Sequence, residues 1–435
     1  MTGERSYDRS LRLFEEALLL IPGGSQTTSK RPSAFAYGAY PIYFDHAEGS
    51  HVVDVDGNRF IDLVSALGPI ALGYQYPAVD AAIREQLGKG ILSGLLAPVE
   101  VEVARLLRDL VPCAEMSRFF KGGGEATAAA ARLARRYTGR EVILNAGYRG
   151  WPDTWTVGSD PGVPRALEAS LKTFTLGDRE GLERLVMDHR GQIAAIFVDV
   201  SMSWPGDDYF PWLRDLTHEI GALLVFDEIV TGFRLAQGGL QEYSGVTPDL
   251  AVFAKAMANG MPVAALTGRA EVMDALQDAL VSITYGGEAV SLAAAVATLR
   301  TYRDEPVVET LHARGRQLRR GLGDAAESCG LPFEVVGFDP MTAMQFTGLD
   351  PERERDAWGF VLQEMATRGV LLRRGGLNFV SYSHTEADIK EVIGAAREVF
   401  ADLAPLLAQG GDAVRQRLRI RSVDTGFRTF GARSS

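Results

Sequence analysis

Between residues 117 and 270 the chain alternates short apolar runs with longer amphipathic stretches. That alternation limits the fold more than any other feature. The runs lie at 118–121, 142–144, 193–200, 222–229 and 263–267 and are mostly continuous. A strand with one wet face alternates apolar and polar residues, whereas a strand buried on both faces reads as an unbroken apolar run. Helical patterns at 126–137 and 178–189 separate the runs. The reading is an α/β fold with a mostly parallel sheet under helices. The flanks differ: an amphipathic helix at 309–328, a few strands and a final helix at 386–408 predict a smaller α+β domain made from both chain ends. The expected organisation is 1–60 as the N-terminal segment of the small domain, 61–310 as the large domain and 311–435 as the C-terminal part of the small domain. An Arg-rich stretch at 415–435 reads as a surface arm.

Composition narrows the functional classes. With 45 Lys and Arg against 56 Asp and Glu, the net charge is −11 over 435 residues, which argues against general affinity for nucleic acid or an anionic membrane. Two cysteines, Cys113 and Cys329, cannot frame a disulfide network, and the six histidines show no metal-ligand spacing, so no metal site is expected. No window reaches 18 uninterrupted apolar residues, and the apolar stretch at 17–21 is too short for a secretion signal. The expectation is a soluble, cytoplasmic protein.

Two strings carry the chemistry. In the first, an apolar run ends at Asp227, followed by Glu228. A carboxylate there is costly unless it meets a cation, although a helix-capping aspartate would also fit. In the second, Lys255 stands alone within uncharged small and apolar residues. Such surroundings depress a lysine pKa and make a usable amine nucleophile; a lysine snorkelling from a helix flank is the plainer alternative. The two lie 28 residues apart, about one strand–helix–strand unit, which can bring both to one sheet edge. A carbonyl-condensing lysine with an aspartate facing a pyridine nitrogen marks a pyridoxal phosphate site.

These segments resemble the signature of class III (ornithine/ω-type) aminotransferases, a pyridoxal phosphate family of fold type I. Residues 20–24 (Leu-Ile-Pro-Gly-Gly), 54–62, 68–70 and 98–102 look most like its glutamate-1-semialdehyde 2,1-aminomutase branch. The resemblance implies Lys255 as the covalent cofactor anchor and Asp227 as the partner of the pyridine nitrogen. It implies that Gly122, Gly123 and Gly124, between a strand and an alanine-rich helix, hold the phosphate. The family commonly carries hydroxyl side chains where Gly122 and Gly124 stand, so backbone amides must do the work here. Tyr148 takes the place of the aromatic that stacks on the ring. Arg149 stands where histidine is frequent and reads either as a partner for a substrate carboxylate or phosphate, or as a surface ion pair. Thr284 matches a threonine that reaches the phosphate from the neighbouring subunit, which implies a homodimer with shared sites. Asp199 stands where the family usually has Glu-Pro.

The resulting expectation is an aminotransferase using a small amine donor and an oxo acceptor, in secondary or sugar metabolism. A 2,1-aminomutase, a racemase or epimerase, a decarboxylating or O₂-consuming carbanion enzyme, and a non-catalytic protein of the same fold are the alternatives. The stretch Ser25–Pro32 lacks the Ser-Pro-Val-Arg string of the mutases, though Lys30 and Arg31 offer cations for a substrate carboxylate there.

Overall fold

The computed structural model describes residues 5–156, 158 and 160–419, so most of the Arg-rich stretch lies outside it. Three strands come first: β1 (Phe44–Glu48), β2 (His51–Asp54) and β3 (Arg59–Asp62). Seven follow in the middle of the chain: β4 (Met116–Phe120), β5 (Val142–Ala146), β6 (Leu171–Thr173), β7 (Ile193–Val198), β8 (Leu223–Asp227), β9 (Leu250–Phe253) and β10 (Ala264–Gly268). The last four are β11 (Phe333–Phe338), β12 (Met341–Phe346), β13 (Val370–Leu371) and β14 (Leu377–Phe379). The chain divides into two compact units, Pro77–Glu309 and the two flanking segments, up to Tyr76 and from Thr310 onward.

The central unit holds the seven-stranded sheet in the order β4-β10-β9-β8-β7-β5-β6. From β9 to β6 the strands are parallel, while β10 runs antiparallel to both of its neighbours. Every residue of β5, β7, β8 and β9 is buried, which is why β5, β7 and β8 read as apolar runs. The helix Gly123–Thr138 lies on this sheet. Its buried alanines Ala126, Ala130 and Ala134 form one core with Phe197, Val225, Val252 and Leu266. Alanine's small volume lets the helix axis come close to the strands, and burial of that apolar face supplies the stabilisation.

The flanking unit contains a four-stranded sheet, β1-β2-β3-β13, and a three-stranded antiparallel sheet, β11-β12-β14. Helices Asp8–Leu20, Pro351–Thr367 and Glu386–Gln409 belong to this unit, and Pro351–Thr367 packs against Glu386–Gln409. After β3 three non-glycine residues in succession, Ser65, Ala66 and Leu67, take positive φ angles of 46°, 53° and 73°. The Asp62 carboxylate holds this unusual turn by accepting from the Val64 and Ser65 amides and from the Tyr74 hydroxyl.

Candidate active site

Register brings the chemical groups of the central unit to one edge. Strand β4 is antiparallel to β10, which is antiparallel to β9, so β4 points the same way as the parallel set. Ala265 faces both Phe119 and Phe253, Asp227 faces Val252, and Val198 faces both Phe226 and Ala146. Residues 121–124, 147–149, 199, 227 and 255 therefore all leave the carboxyl ends of neighbouring strands, where open α/β sheets bind ligands.

Lys255 follows β9 by two residues and opens a short 3₁₀ turn, Lys255–Ala258. Its backbone is left-handed, with φ 44°. For a non-glycine residue that conformation costs on the order of 1–3 kcal/mol and persists where the surroundings impose it, as catalytic sites do. The sequence suggested a full strand–helix–strand unit between Asp227 and Lys255. The connection instead consists of turns and a single short helix, Leu240–Ser244, before β9.

Asp227 is the last residue of β8 and is buried. Its Oδ1 accepts the Ile229 amide at 3.0 Å, and its Oδ2 lies 3.3 Å from Arg149 Nη1. Burial raises its carboxyl above the usual carboxylate range and Arg149 pulls it back. Asp199 adds to the rise, while the Ile229 amide and Lys255 oppose it. Next to it Glu228 is fully buried and turns away. It accepts from the Thr231 hydroxyl and from the Leu240 and Gln241 amides, closing the loop after β8, and burial pushes its carboxyl up to about 7.

Arg149 is not on the surface. Its side chain is fully buried, donating to the carbonyls of Ala146 at 2.6 Å and Tyr148 at 2.9 Å, with Asp227 and Asp199 at 3.3 Å and 3.9 Å. Gly147 makes this possible. It has φ 102°, and a Cβ there would stand 2.8 Å from Asp199 Cβ and 3.1 Å from Arg149 Nη1. The surface-ion-pair reading of Arg149 is thereby corrected: an arginine whose aliphatic stem and guanidinium are both enclosed has no solvent-facing role. The three-residue grouping of Arg149, Asp199 and Asp227 was not read from the sequence. Only the order of β5, β7 and β8 in the sheet assembles it. Tyr148, by contrast, is 55% exposed, with its ring outside the core.

Residues 122–124 open the helix Gly123–Thr138, with Gly122 as N-cap. The Glu125 carboxylate takes up the amides of Lys121 and Gly122 at 3.1 and 3.0 Å. Gly123 and Gly124 occupy the first helical turn, where amides have no intrahelical acceptor and point outward as an anion cradle. Space is tight at Gly123, whose Cβ would meet Ile229 Cδ1 at 2.5 Å, and at Gly124, 3.3 Å from Pro152 Cδ. Lys121 pairs with Glu288 at 2.7 Å, and Glu288 caps the helix Ala289–Asp304. Thr284 stands exposed in the turn just before that cap. Lys30 and Arg31 belong to the flanking unit. Both are exposed; Lys30 closes the 3₁₀ turn Thr28–Lys30, and the Arg31 guanidinium packs on Gly23.

A nucleophilic amine, a buried carboxylate and an amide cradle on one strand edge suit a carbonyl cofactor bearing phosphate. Comparison with known proteins agrees. The family model of class-III aminotransferases matches residues 33–150 and 163–398. A 3-aminobutyryl-CoA aminotransferase from Cloacimonas acidaminovorans (strain Evry) is 34% identical over 410 residues, covering 92% of this chain and 98% of that protein. A glutamate-1-semialdehyde 2,1-aminomutase from Desulforapulum autotrophicum is 35% identical over 425 residues, 91% of this chain and 99% of its own. The structure of the FumI protein of Sphingopyxis sp. MTA144, in its PLP internal aldimine form, superposes with a TM-score of 0.87 at 30% identity, covering 93% of this chain and 98% of that one. The chain belongs to the class III aminotransferases, which work with pyridoxal phosphate.

Proposed function

We propose that this protein is an aminotransferase that takes an amino group from a donor amine and passes it to a small aldehyde or ketone, rather than a 2,1-aminomutase. The observation that carries the amino-transfer chemistry is the pairing of a left-handed Lys255 after β9 with a buried Asp227 at the end of the adjacent β8; the choice against the mutase rests on Ser25–Pro32.

Pyridoxal phosphate supplies an aldehyde that condenses with amines and a ring that takes up the electrons of a cleaved C–H bond. The residues of the central unit fit that group. Lys255 Nζ would be its covalent anchor and, when free, the base that moves a proton to and from the substrate carbon. Asp227 would keep the ring nitrogen protonated. The Gly123 and Gly124 amides, backed by the helix dipole, would hold its phosphate, and the exposed ring of Tyr148 would stack on its ring.

Lys30 and Arg31 are the candidate contacts for a substrate carboxylate. The absence of a Ser-Pro-Val-Arg string in Ser25–Pro32 disfavours a mutase, because planar bidentate recognition depends on where the arginine stands. A homodimer with Thr284 reaching the partner's phosphate completes the reading. The apolar side chains of Leu95 and Leu96, 84% and 89% exposed, support a covered face on this unit.

The test is a product screen with a panel of amines and oxo acids. Net consumption of a donor and release of its oxo product are expected. Glutamate-1-semialdehyde is then supplied to enzyme loaded with pyridoxamine phosphate. Efficient formation of 5-aminolevulinate without donor consumption would replace this reading by the mutase.

A further inference from the structure

Two carboxylates and one guanidinium are enclosed together behind the ring-nitrogen end of the site. The side chain of Arg149 is 0% exposed, that of Asp227 5% and that of Asp199 13%. The Asp199 Oδ1 is held by the Ser201 amide at 2.8 Å, leaving Oδ2 toward Arg149. The groups facing Asp227 are Arg149 from the loop after β5, Asp199 from the end of β7, Lys255 from beyond β9 and the Ile229 amide of its own loop. Buried carboxylates that share a site without a cation resist double ionisation, and one of them keeps a proton. A guanidinium between them removes that conflict by pairing with both carboxylates. With one cation for two carboxylates, the group carries one net negative charge.

We infer that Arg149 is a positioning residue for Asp227 and that Arg149 and Asp199 work as a balanced pair. Arg149 keeps Asp227 ionised and fixed, and Asp199 restores the negative charge that Arg149 would cancel. This rests on the reading of Asp227 as the partner of the ring nitrogen. The enclosure of Arg149, whose side chain is fully buried and turned to two backbone carbonyls and two carboxylates, disfavours its use as a substrate contact.

The two partners then fail by different routes. Removing Arg149 leaves two carboxylates competing for one proton, so Asp227 takes it up at working pH and the ring nitrogen loses its counter-ion. Removing Asp199 leaves a neutral Asp227–Arg149 pair, which holds the nitrogen's proton less firmly. Removing both restores a single carboxylate and the original net charge.

The experiment is a pH titration of the visible absorption of the loaded enzyme, with the rate of cofactor release measured on the same samples. Four variants are compared with the parent: Arg149→Met, Arg149→Lys, Asp199→Asn and the double Arg149→Met/Asp199→Asn. Arg149→Met is expected to move the absorption midpoint to lower pH by roughly one to three pH units and to speed cofactor release. Asp199→Asn is expected to speed release with a midpoint moved to lower pH. The double variant should return the midpoint toward that of the parent, where a merely structural role would add the two losses. Arg149→Lys, which keeps the charge, should retain the parent profile, and it carries the test if Arg149→Met does not fold. Additive losses in the double variant, or Arg149→Lys without the parent profile, overturn the proposal. Asp227→Asn separates the two levels. If it leaves absorption and release unchanged, the reading of Asp227 fails; if it changes both while Arg149→Met changes neither, only the balanced pair fails.

Discussion

The two ends of the proposed cofactor site are built from different materials. At the phosphate end the helix Gly123–Thr138 offers main-chain amides from a glycine triplet, without a side chain of its own. At the nitrogen end Asp227, Arg149 and Asp199 form a buried charge cluster, and Glu228 lies fully buried beside it. Backbone amides do not titrate and their positions follow from helix geometry. Buried carboxylates titrate, and their state depends on every neighbour. One end should therefore be indifferent to pH and sensitive to added volume, and the other the reverse.

The largest expected effect lies where the ends meet, at Lys255. Lys255→Ala should lower turnover by roughly 10³-fold or more, because the proposed covalent anchor and proton-moving base are both lost. Its left-handed backbone allows a finer test. Alanine keeps the strain at φ 44°, whereas glycine relieves it. Lys255→Gly should therefore be the more stable of two equally inactive variants, by about 1 kcal/mol in denaturant unfolding. Wild-type turnover in either would remove the assignment.

Glu228 sharpens the contrast in pH. Its carboxyl is raised to about 7 by burial, so between its ordinary value and 7 the folded protein binds a proton that the unfolded chain does not. Stability from this group is present at low pH and is lost as pH rises toward 7, on the order of 3 kcal/mol in all. Glu228→Gln should flatten that part of the profile, measured as unfolding free energy at pH 5 and pH 7.5. An unchanged slope would show that the carboxyl titrates normally.

What the sequence disclosed follows the same division. The apolar runs of β5, β7 and β8 were legible because both faces are buried; Asp227 stood out as the charge at the end of β8 and Lys255 as a lone charge among small apolar residues. The glycine turn was visible because it sits between a strand and a helix. The partners of Asp227 were not visible. Arg149 and Asp199 lie 50 residues apart in the sequence and meet only because β5 and β7 pair, with β8 next to β7. Strand β9 was missed because four residues running into a lysine carry too little periodicity. The reversed direction of β10 depends on its pairing with β4 across 150 residues of intervening chain, as in Thr267 with Ser117, which no local pattern encodes.

Gly123→Ala probes the volume limit at the phosphate end. Its Cβ would press on Ile229 Cδ1 at 2.5 Å and Cγ1 at 3.1 Å, so the isoleucine must turn aside. The Ile229 amide is also a hydrogen bond to Asp227, so the disturbance crosses to the other end. A loss of about 1–3 kcal/mol in stability is expected. Faster cofactor release should accompany it, measured by dialysis and absorption. A variant as stable as the parent would show that the turn has slack.

Gly122 is the opposite case and the smallest effect. Its backbone is extended, at φ −120° and ψ 144°, so a side chain meets no conformational penalty. An added Cβ would find nothing nearer than Glu125 Oε2 at 3.9 Å. The position is also the N-cap, where serine and glycine differ by only a few tenths of a kcal/mol in favour of serine. Gly122→Ser should therefore fold as well as the parent, and its hydroxyl adds a donor at the mouth of the amide cradle. One more hydrogen bond to a charged phosphate would be worth about 1.5 kcal/mol or more if fully made. Glu125, which already holds the Gly122 amide, competes for the new hydroxyl and reduces the gain. The expectation is cofactor release slowed by a few-fold at every pH between 6 and 9, with the absorption midpoint unmoved. A change in the midpoint would mean that the two ends are coupled electrostatically, and the division between a backbone-built end and a charge-built end would fail.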